Sequence, residues 1–114
     1  MQSFDEKYFN KLVECKFCDR TNVLYVTKWN ANFGASYITT YGNDMFITPY
    51  GYGDCTKKTI KINKNEISRM SVKKSFLLGS KFIIELKNGT ILKYKIVNIS
   101  WIDDANALID WLKK

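Results

Sequence analysis

The 114-residue chain contains no histidine and a single proline. Without histidine it lacks the side chain that most often serves as a general acid or base near neutral pH. The nearest pair of carboxylates, Asp103 and Asp104, is adjacent in a predicted helix start, where the helix dipole favours acidic residues. Gly51-Tyr52-Gly53 matches neither a phosphate-binding nor a dinucleotide-binding loop. We therefore expect a protein that is not an enzyme and uses no cofactor.

Cysteine is also scarce, and the three thiols do not complete a metal site. Cys15 and Cys18 form a CxxC motif and Cys55 supplies a third thiol, but a structural zinc site takes four ligands. A thioredoxin-like motif would lie at a helix N-terminus, whereas this one falls at a predicted helix end. We expect no metal site, and free thiols that behave as small buried hydrophobic groups.

The sequence has no hydrophobic run near the roughly 18 residues that a membrane-spanning helix needs. Its first ten residues include Asp5 and Glu6 and lack the apolar core of a signal peptide, so we expect a cytoplasmic protein. Hydrophobic residues make up 46% of the chain, enough for a folded core. The length is that of one domain, and we predict a single domain over residues 1–114.

Apolar spacing predicts an N-terminal helix within residues 1–20 and a C-terminal helix over 100–113. The first begins with a capping box at Ser3–Glu6 and ends near residues 16–18. Its apolar stripe is formed by Phe4, Tyr8, Leu12 and Cys15. The second helix is predicted to begin at Ser100, in a capping box completed by Asp103. Its inward stripe is predicted as Trp101, Ala105, Leu108 and Leu112, flanked by Ile109 and Trp111.

Residues 22–97, between the two helices, show the period-two pattern and turn residues of about seven short strands. Consecutive strands joined by short loops favour antiparallel meanders over βαβ units. Seven strands in so short a chain must curl into a barrel or pack as two sheets. The sequence therefore predicts an α+β fold, an antiparallel barrel or sandwich with a C-terminal helix that caps it.

The last hairpin allows its register to be predicted. A two-residue turn at Asn88-Gly89 would place apolar residues opposite lysines on one face. A three-residue loop over residues 87–89, with Gly89 in the left-handed region, instead pairs Phe82 with Tyr94 and Ile84 with Leu92. Because a slip of one residue moves every side chain to the other face, burial favours the three-residue loop.

The pattern resembles a pleckstrin-homology-like (PH-like) domain of the small bacterial type with an additional N-terminal helix. The resemblance covers about residues 22–114 and depends on the 58–72 strand-turn-strand segment, the 82–96 hairpin and a final helix bearing Trp111. It implies a non-catalytic domain that binds lipid headgroups, peptides or proteins. The phosphoinositide-binding members hold cations around the first inter-strand loop. Here the loop at residues 29–34 has only Lys28 beside it, which disfavours that route.

The formal net charge is +7, and eight cations fall in one 25-residue stretch whose only acid is Glu66. This stretch is typical either of a patch for phosphate-bearing partners or of solvated lysines that protect strand edges. The candidate binding residues within it are Lys57, Lys58, Lys61, Arg69, Lys73 and Lys74. Tyr41, Tyr50 and Tyr52 flank predicted turns and are candidate exposed contact residues.

Taken together, these features predict a non-catalytic binding domain that acts as a protein-interaction adaptor or an inhibitor. The alternatives are nucleic-acid binding through the basic 57–81 region and peripheral binding to an anionic membrane. Pairing through a strand edge to form a homodimer stays open.

Overall fold

The computed structural model describes residues 6–28, 34–50, 55–74, 79–96 and 98–114, with the backbone alone at residues 6–8, 55 and 56. It contains an N-terminal helix, seven strands and a C-terminal helix, which confirms the predicted α+β class. The helices are α1 (Glu6–Glu14) and α2 (Ile102–Lys113). The strands are β1 (Val23–Lys28), β2 (Ala35–Tyr41), β3 (Asp44–Pro49), β4 (Ile60–Asn63), β5 (Ile67–Lys73), β6 (Ser80–Leu86) and β7 (Ile91–Ile96). No helix in these ranges is long and apolar enough to cross a membrane.

The strands form one antiparallel sheet in the order β4-β3-β2-β1-β7-β6-β5. It consists of two consecutive meanders, β1 to β4 and β5 to β7, joined where Thr27 pairs with Lys95 and Lys28 with Tyr94. The 3-10 turn Lys64–Glu66 connects β4 to β5. Within the described ranges β4 and β5 do not pair with each other, so they form the two edges of the sheet.

Two hydrophobic clusters lie on opposite faces of this sheet. The main core is formed by one face of the sheet and by α2, with fully buried residues such as Leu24, Phe82 and Leu108. The second cluster places α1 on the other face of the first meander and includes Leu12 and Tyr37. The interior strand β2 is therefore buried on both of its faces.

Helix α1 is shorter than the sequence indicates. It ends at Glu14, and Lys16 then adopts a positive φ of 61°. Cys15, predicted to lie on the inward stripe, is exposed because the helix has already ended before it. Leu12 is buried as predicted, and Phe9 is the second buried residue of this face. The predicted cap at Ser3 and the stripe residue Phe4 lie outside the described residues, as does the side chain of Tyr8.

Helix α2 begins two residues later than predicted and presents a different face. A 3-10 turn, Ile99–Trp101, precedes it, and the side chain of Asn98, not of Ser100, caps that turn by accepting from the Ser100 N–H at 2.9 Å. The buried residues of the helix are Ile102, Ala105, Leu108 and Trp111. Trp101 and Leu112 are only partly buried. The later start changes which residues face the core, so the predicted stripe was wrong at both ends.

The β6–β7 hairpin confirms the predicted register. Phe82 pairs with Tyr94 and Ile84 with Leu92. Gly89 has a φ of 94°, and its N–H donates to the carbonyl oxygen of Leu86 at 3.0 Å. The three-residue loop therefore forms as the burial pattern requires.

Candidate functional site

The six predicted basic residues are all exposed, but they fall in two groups. Lys57 and Lys58 lie in a 3-10 turn before β4, and Lys61 lies in β4. Arg69 and Lys73 lie in β5, and Lys74 follows that strand. Because β4 and β5 are the two edges of the sheet, five strands separate the groups in the hydrogen-bonded order.

Within the described part of the chain, two of these six cations are seen paired with carboxylates. The Nε of Arg69 lies 2.6 Å from Oε2 of Glu85, its cross-strand partner. The Nζ of Lys61 lies 3.7 Å from Oδ2 of Asp44. Exposed ion pairs of this kind contribute only about 0–1 kcal/mol to stability. They also partly neutralise the positive charge of Lys61 and Arg69 that an anionic partner would contact.

The two predicted tyrosines that the structure describes, Tyr41 and Tyr50, do not form one surface. Tyr41 and Tyr50 are 42% and 36% exposed, as expected of contact residues. Tyr41 ends β2 beside the β2–β3 turn, whereas Tyr50 follows β3 at the other end of the same hairpin. The ring of Tyr50 also packs edge-on against the ring of Tyr37, with 5.6 Å between centroids. Tyr52 lies outside the described residues.

The CxxC thiols lie in contrasting environments. Cys18 is fully buried, and its Sγ accepts a hydrogen bond from the Arg20 N–H at 3.4 Å. Burial raises the pKa of the Cys18 thiol above its ordinary value. Cys15 is exposed, so the prediction of a buried thiol was wrong for this residue. Among the described residues, no three His, Cys, Asp or Glu side chains converge as metal ligands.

One concave feature that bears both apolar and charged groups is a groove of about 460 Å³ between β5 and α2. Its floor is apolar: Ile67 and Met70 of β5 are buried there, and Ile109 and Leu112 of α2 are half-buried. We refer to this feature as the β5–α2 groove. Its volume lies within the range typical of ligand sites.

The charged side chains that line the β5–α2 groove are all basic, although one of them, Arg69, is paired with Glu85. The charged residues that line it are Lys64, Arg69, Lys87 and Lys113, and no described acidic side chain lines it. Asn65 and Ser68 supply uncharged polar groups. The groove therefore combines an apolar surface with a positive margin, an arrangement complementary to a segment that carries both apolar and acidic side chains.

One wall of the groove is the free edge of β5. This strand pairs with β6 alone among the described strands. The register shifts between Ile67 and Arg69, which places a bulge at Ser68 beside the groove. The backbone N–H and C=O groups on the outer side of an edge strand are available to pair with another chain.

The other wall is held in place at the end of α2. The indole Nε1 of Trp111 donates to the carbonyl oxygen of Gly42 at 3.0 Å. The ammonium of Lys64 lies 4.7 Å from the centroid of the Trp111 ring and donates to the carbonyl oxygen of Lys114 at 3.2 Å. These contacts connect the helix end to two different turns, so the groove is formed before any partner binds.

Sequence reasoning missed Lys87 and Lys113 as site residues because it grouped cations by their distance along the chain. Lys87 belongs to the β6–β7 loop and Lys113 to the last turn of α2, and folding brings both to the same rim. The sequence carried no signal for either residue, since Leu112, next to Lys113, was predicted to face the core and its partial exposure is seen only in the structure.

Comparison with known proteins finds no matching family model and no matching curated sequence.

Proposed function

We propose that this chain is a non-catalytic binding domain that holds an extended, acidic segment of another protein in the β5–α2 groove. The observation that carries the proposal is that apolar residues and basic side chains line the same groove, with Lys64, Lys87 and Lys113 as the rim cations that no described carboxylate pairs. Each Val, Leu or Ile side chain that such a segment buried on the floor would contribute about 1.5–3 kcal/mol before the costs of binding. The rim then selects segments whose remaining side chains are acidic.

The free edge of β5 supports an extended conformation for the bound segment. A peptide that adds to an exposed strand edge forms main-chain hydrogen bonds, and every second side chain points to the same face. Alternation of apolar and acidic residues would direct the apolar set to the half-buried Ile109 and Leu112. The acidic set would then face solvent and the rim cations Lys87 and Lys113.

The fold we propose is a PH-like barrel or sandwich. It is supported by two meanders that meet at β1 and β7 and by a C-terminal helix that packs on the inner face. Domains of that kind bind peptides and proteins without catalysis, which agrees with an adaptor or inhibitor acting in the cytoplasm. Fold alone is a weak argument for function, and the groove carries the proposal.

The test is a binding titration with a labelled peptide of about ten residues, the upper range of strand lengths, that alternates glutamate with leucine or valine. The double variant Lys87→Glu/Lys113→Glu reverses two rim charges. The control variant Lys57→Glu/Lys58→Glu reverses two exposed charges outside the groove. Both lower the formal net charge by four, from +7 to +3, so their difference reports the position of the charges.

We expect the rim variant to lose at least about tenfold in affinity, equivalent to about 1.4 kcal/mol, and the control variant to lose less than about threefold. A peptide with lysine in place of glutamate should bind neither the wild type nor the control. Equal losses in the two variants, or no binding of the acidic peptide to the wild type, would contradict the proposal.

A further inference from the structure

We propose that a second pocket, beside the last turns of α2, binds a small zwitterion: a free α-amino acid with an apolar side chain. The pocket has a volume of about 410 Å³ and lies between the residues that precede β1 and the end of α2. It is lined by Thr21, Asn22, Ala107, Asp110, Trp111 and Lys114. We call it the β1–α2 pocket. The proposal goes beyond peptide binding in the groove and does not depend on it.

The β1–α2 pocket and the β5–α2 groove use different faces of the same helix. To the groove, α2 contributes Ile109, Leu112 and Lys113. To the pocket, it contributes Ala107, Asp110, Trp111 and Lys114. Because successive residues are rotated by about 100° around a helix, the two sets lie on opposite sides of α2. A ligand in the pocket therefore does not compete with a segment in the groove for the same surface.

Asn22 is the buried polar residue of the pocket, with only 8% of its surface exposed. Its Nδ2 donates to Oγ1 of Thr40 at 3.1 Å and to Oγ1 of Thr21 at 3.4 Å. The Thr21 hydroxyl itself donates to the carboxylate of Asp19, so the Asn22 atom that faces it must be a donor. This contact assigns the orientation of the amide and directs Oδ1 away from both threonines.

The Oδ1 atom of Asn22 has no hydrogen-bond partner among the residues that the structure describes. In the same part of the chain, no side-chain oxygen or nitrogen is both buried and without a partner. Solvent must therefore reach Oδ1, and the pocket is the opening that Asn22 lines. An acceptor held in place by two hydrogen bonds from its own amide nitrogen is suited to orient a ligand that donates.

Asp110 and Lys114 give the pocket one charge of each sign. They lie one turn apart on α2, a spacing that places the Cβ atoms about 5–6 Å from each other. Both side chains are exposed, and within the described ranges neither takes part in an ion pair. Both charges are therefore available to a ligand that carries the complementary pair.

These groups select a zwitterion over an ion of either sign. An ammonium group has three N–H donors, which serve Oδ1 of Asn22 and the carboxylate of Asp110. A neighbouring carboxylate on the ligand pairs with the ammonium of Lys114. A ligand with a positive charge alone would be repelled by Lys114, and one with a negative charge alone by Asp110. An α-amino acid carries both groups on one carbon.

The rest of the lining favours a hydrophobic side chain on the ligand. The Nε1 of Trp111 donates to the carbonyl oxygen of Gly42, so the indole presents ring carbon to the pocket and not a donor. Ala107 is exposed and too small to fill the space on this side of α2. The pocket volume lies within the range typical of small-molecule sites. Leucine is therefore a suitable probe.

The experiment titrates the full chain with L-leucine at about pH 6, where the amino group is protonated and the carboxylate ionised. The concentration rises to about 10 mM, ten times the weakest Kd that we expect. Two-dimensional ¹H–¹⁵N NMR follows the side-chain amide of Asn22 and the indole N–H of Trp111. L-Leucinamide carries the positive charge alone and N-acetyl-L-leucine the negative charge alone, so they are the matched ligands.

Two double variants separate the pocket charges from the overall charge. Asp110→Asn/Lys114→Gln removes both charges of the pocket. The control Asp103→Asn/Lys57→Gln removes one exposed charge of each sign elsewhere. Each variant loses one acid and one base, so both keep the formal net charge of +7.

We expect L-leucine to bind the wild type with a Kd of about 1 mM or below, and each singly charged analogue to bind at least about tenfold more weakly. The pocket variant should lose at least about tenfold in L-leucine affinity, against less than about twofold for the control. The resonances of Asn22 and Trp111 should both shift on binding. The rim variant Lys87→Glu/Lys113→Glu should bind L-leucine as the wild type does, because the groove lies on the other face of α2.

Four results would overturn the inference: no binding of L-leucine by the wild type, equal binding of the singly charged analogues, equal losses in the two double variants, or binding that leaves the Asn22 amide resonances unchanged. A preference for glucose over L-leucine would also overturn it, because hydroxyl groups and not a pair of charges would then be recognised.

Discussion

The indole nitrogen of Trp111 donates a hydrogen bond of 3.0 Å to the carbonyl oxygen of Gly42, which joins the last turns of α2 to the β2–β3 turn. The indole ring is buried, and Lys64 covers it at 4.7 Å. Because α2 forms one wall of the β5–α2 groove, this contact determines where that wall lies.

Trp111→Phe keeps most of the apolar ring and removes the donor, leaving the carbonyl oxygen of Gly42 without its partner. We expect the free energy of unfolding to fall by about 1–2 kcal/mol, against about 3–5 kcal/mol for Trp111→Ala, as measured by urea denaturation. If the phenylalanine variant were as stable as the wild type, the hydrogen bond would not hold the helix end. If it were as unstable as the alanine variant, ring size alone would explain the loss.

Asp19 makes stability depend on pH on the acid side. Its partial burial raises the pKa of the carboxyl, but hydrogen bonds from the Thr21 hydroxyl and from the Thr21 and Gly42 N–H groups outweigh burial and lower the pKa below the ordinary value. A lowered folded-state pKa stabilises the protein above the unfolded-state pKa of about 3.9, and this contribution is lost as the pH falls. The free energy of unfolding of the wild type minus that of Asp19→Asn should therefore be more positive at about pH 7 than at about pH 3.

Asp104 provides the matched control because its shift has the opposite sign. Burial raises its pKa, and neighbouring Asp103 adds to this, against a hydrogen bond from its own N–H. A raised folded-state pKa stabilises the protein below the unfolded-state pKa, and this contribution is lost as the pH rises through the folded-state value. The free energy of unfolding of the wild type minus that of Asp104→Asn should therefore be more positive at about pH 3 than at about pH 7. If both variants responded to pH in the same direction, the assigned environments would be wrong.

The two thiols of the CxxC motif should differ in reactivity. Exposed Cys15 should react with iodoacetamide at least about tenfold faster than Cys18, since Cys18 is fully buried and burial raises the pKa of its thiol. Trypsin cuts after Lys16, so mass spectrometry reads the two residues in separate peptides. In denaturant the rates should converge. Equal rates in the native protein would show that Cys18 is accessible.

Gly89 tests the hairpin loop that the burial pattern predicts. Its φ of 94° is unfavourable for residues with a Cβ, although a Cβ there would meet no neighbouring atom within 4 Å. Gly89→Ala should therefore cost about 1–2 kcal/mol through backbone strain alone. Gly89→Asn should cost less, because asparagine tolerates the left-handed region better. Equal stability of wild type and Gly89→Ala, measured by thermal and urea denaturation, would contradict the three-residue loop.

The structural features that the sequence predicts correctly are those that local residue patterns determine. The register of Phe82 with Tyr94 follows from alternation within one hairpin, since only one register buries the apolar side chains together. The start of α2 was wrong because Asn98 caps a 3-10 turn that a helix pattern does not reveal. A later start then changes which residues face the core, which is why Ile102 and Trp111 are buried and Leu112 borders the groove.

The candidate sites depend on contacts between distant parts of the chain. Asn22 and Asp110 are far apart in the sequence and line one pocket only because the end of α2 lies beside the start of β1. Likewise Lys64 and Lys113 share the groove rim only because α2 packs against β5. The excess of positive charge along residues 57–81 is visible in the sequence. The sequence does not show that these cations lie on different surfaces of the folded protein.

The most direct test of the central claim is amide hydrogen exchange of the full chain, measured with and without a saturating amount of the alternating glutamate–leucine peptide. Peptide in the β5–α2 groove should slow exchange in β5 and at the end of α2, with the largest effect at edge amides of Ile67–Lys73. Exchange in β4, the other sheet edge, should not change. Protection in β4 alone, or no protection in β5 under conditions where the peptide binds, would contradict the account.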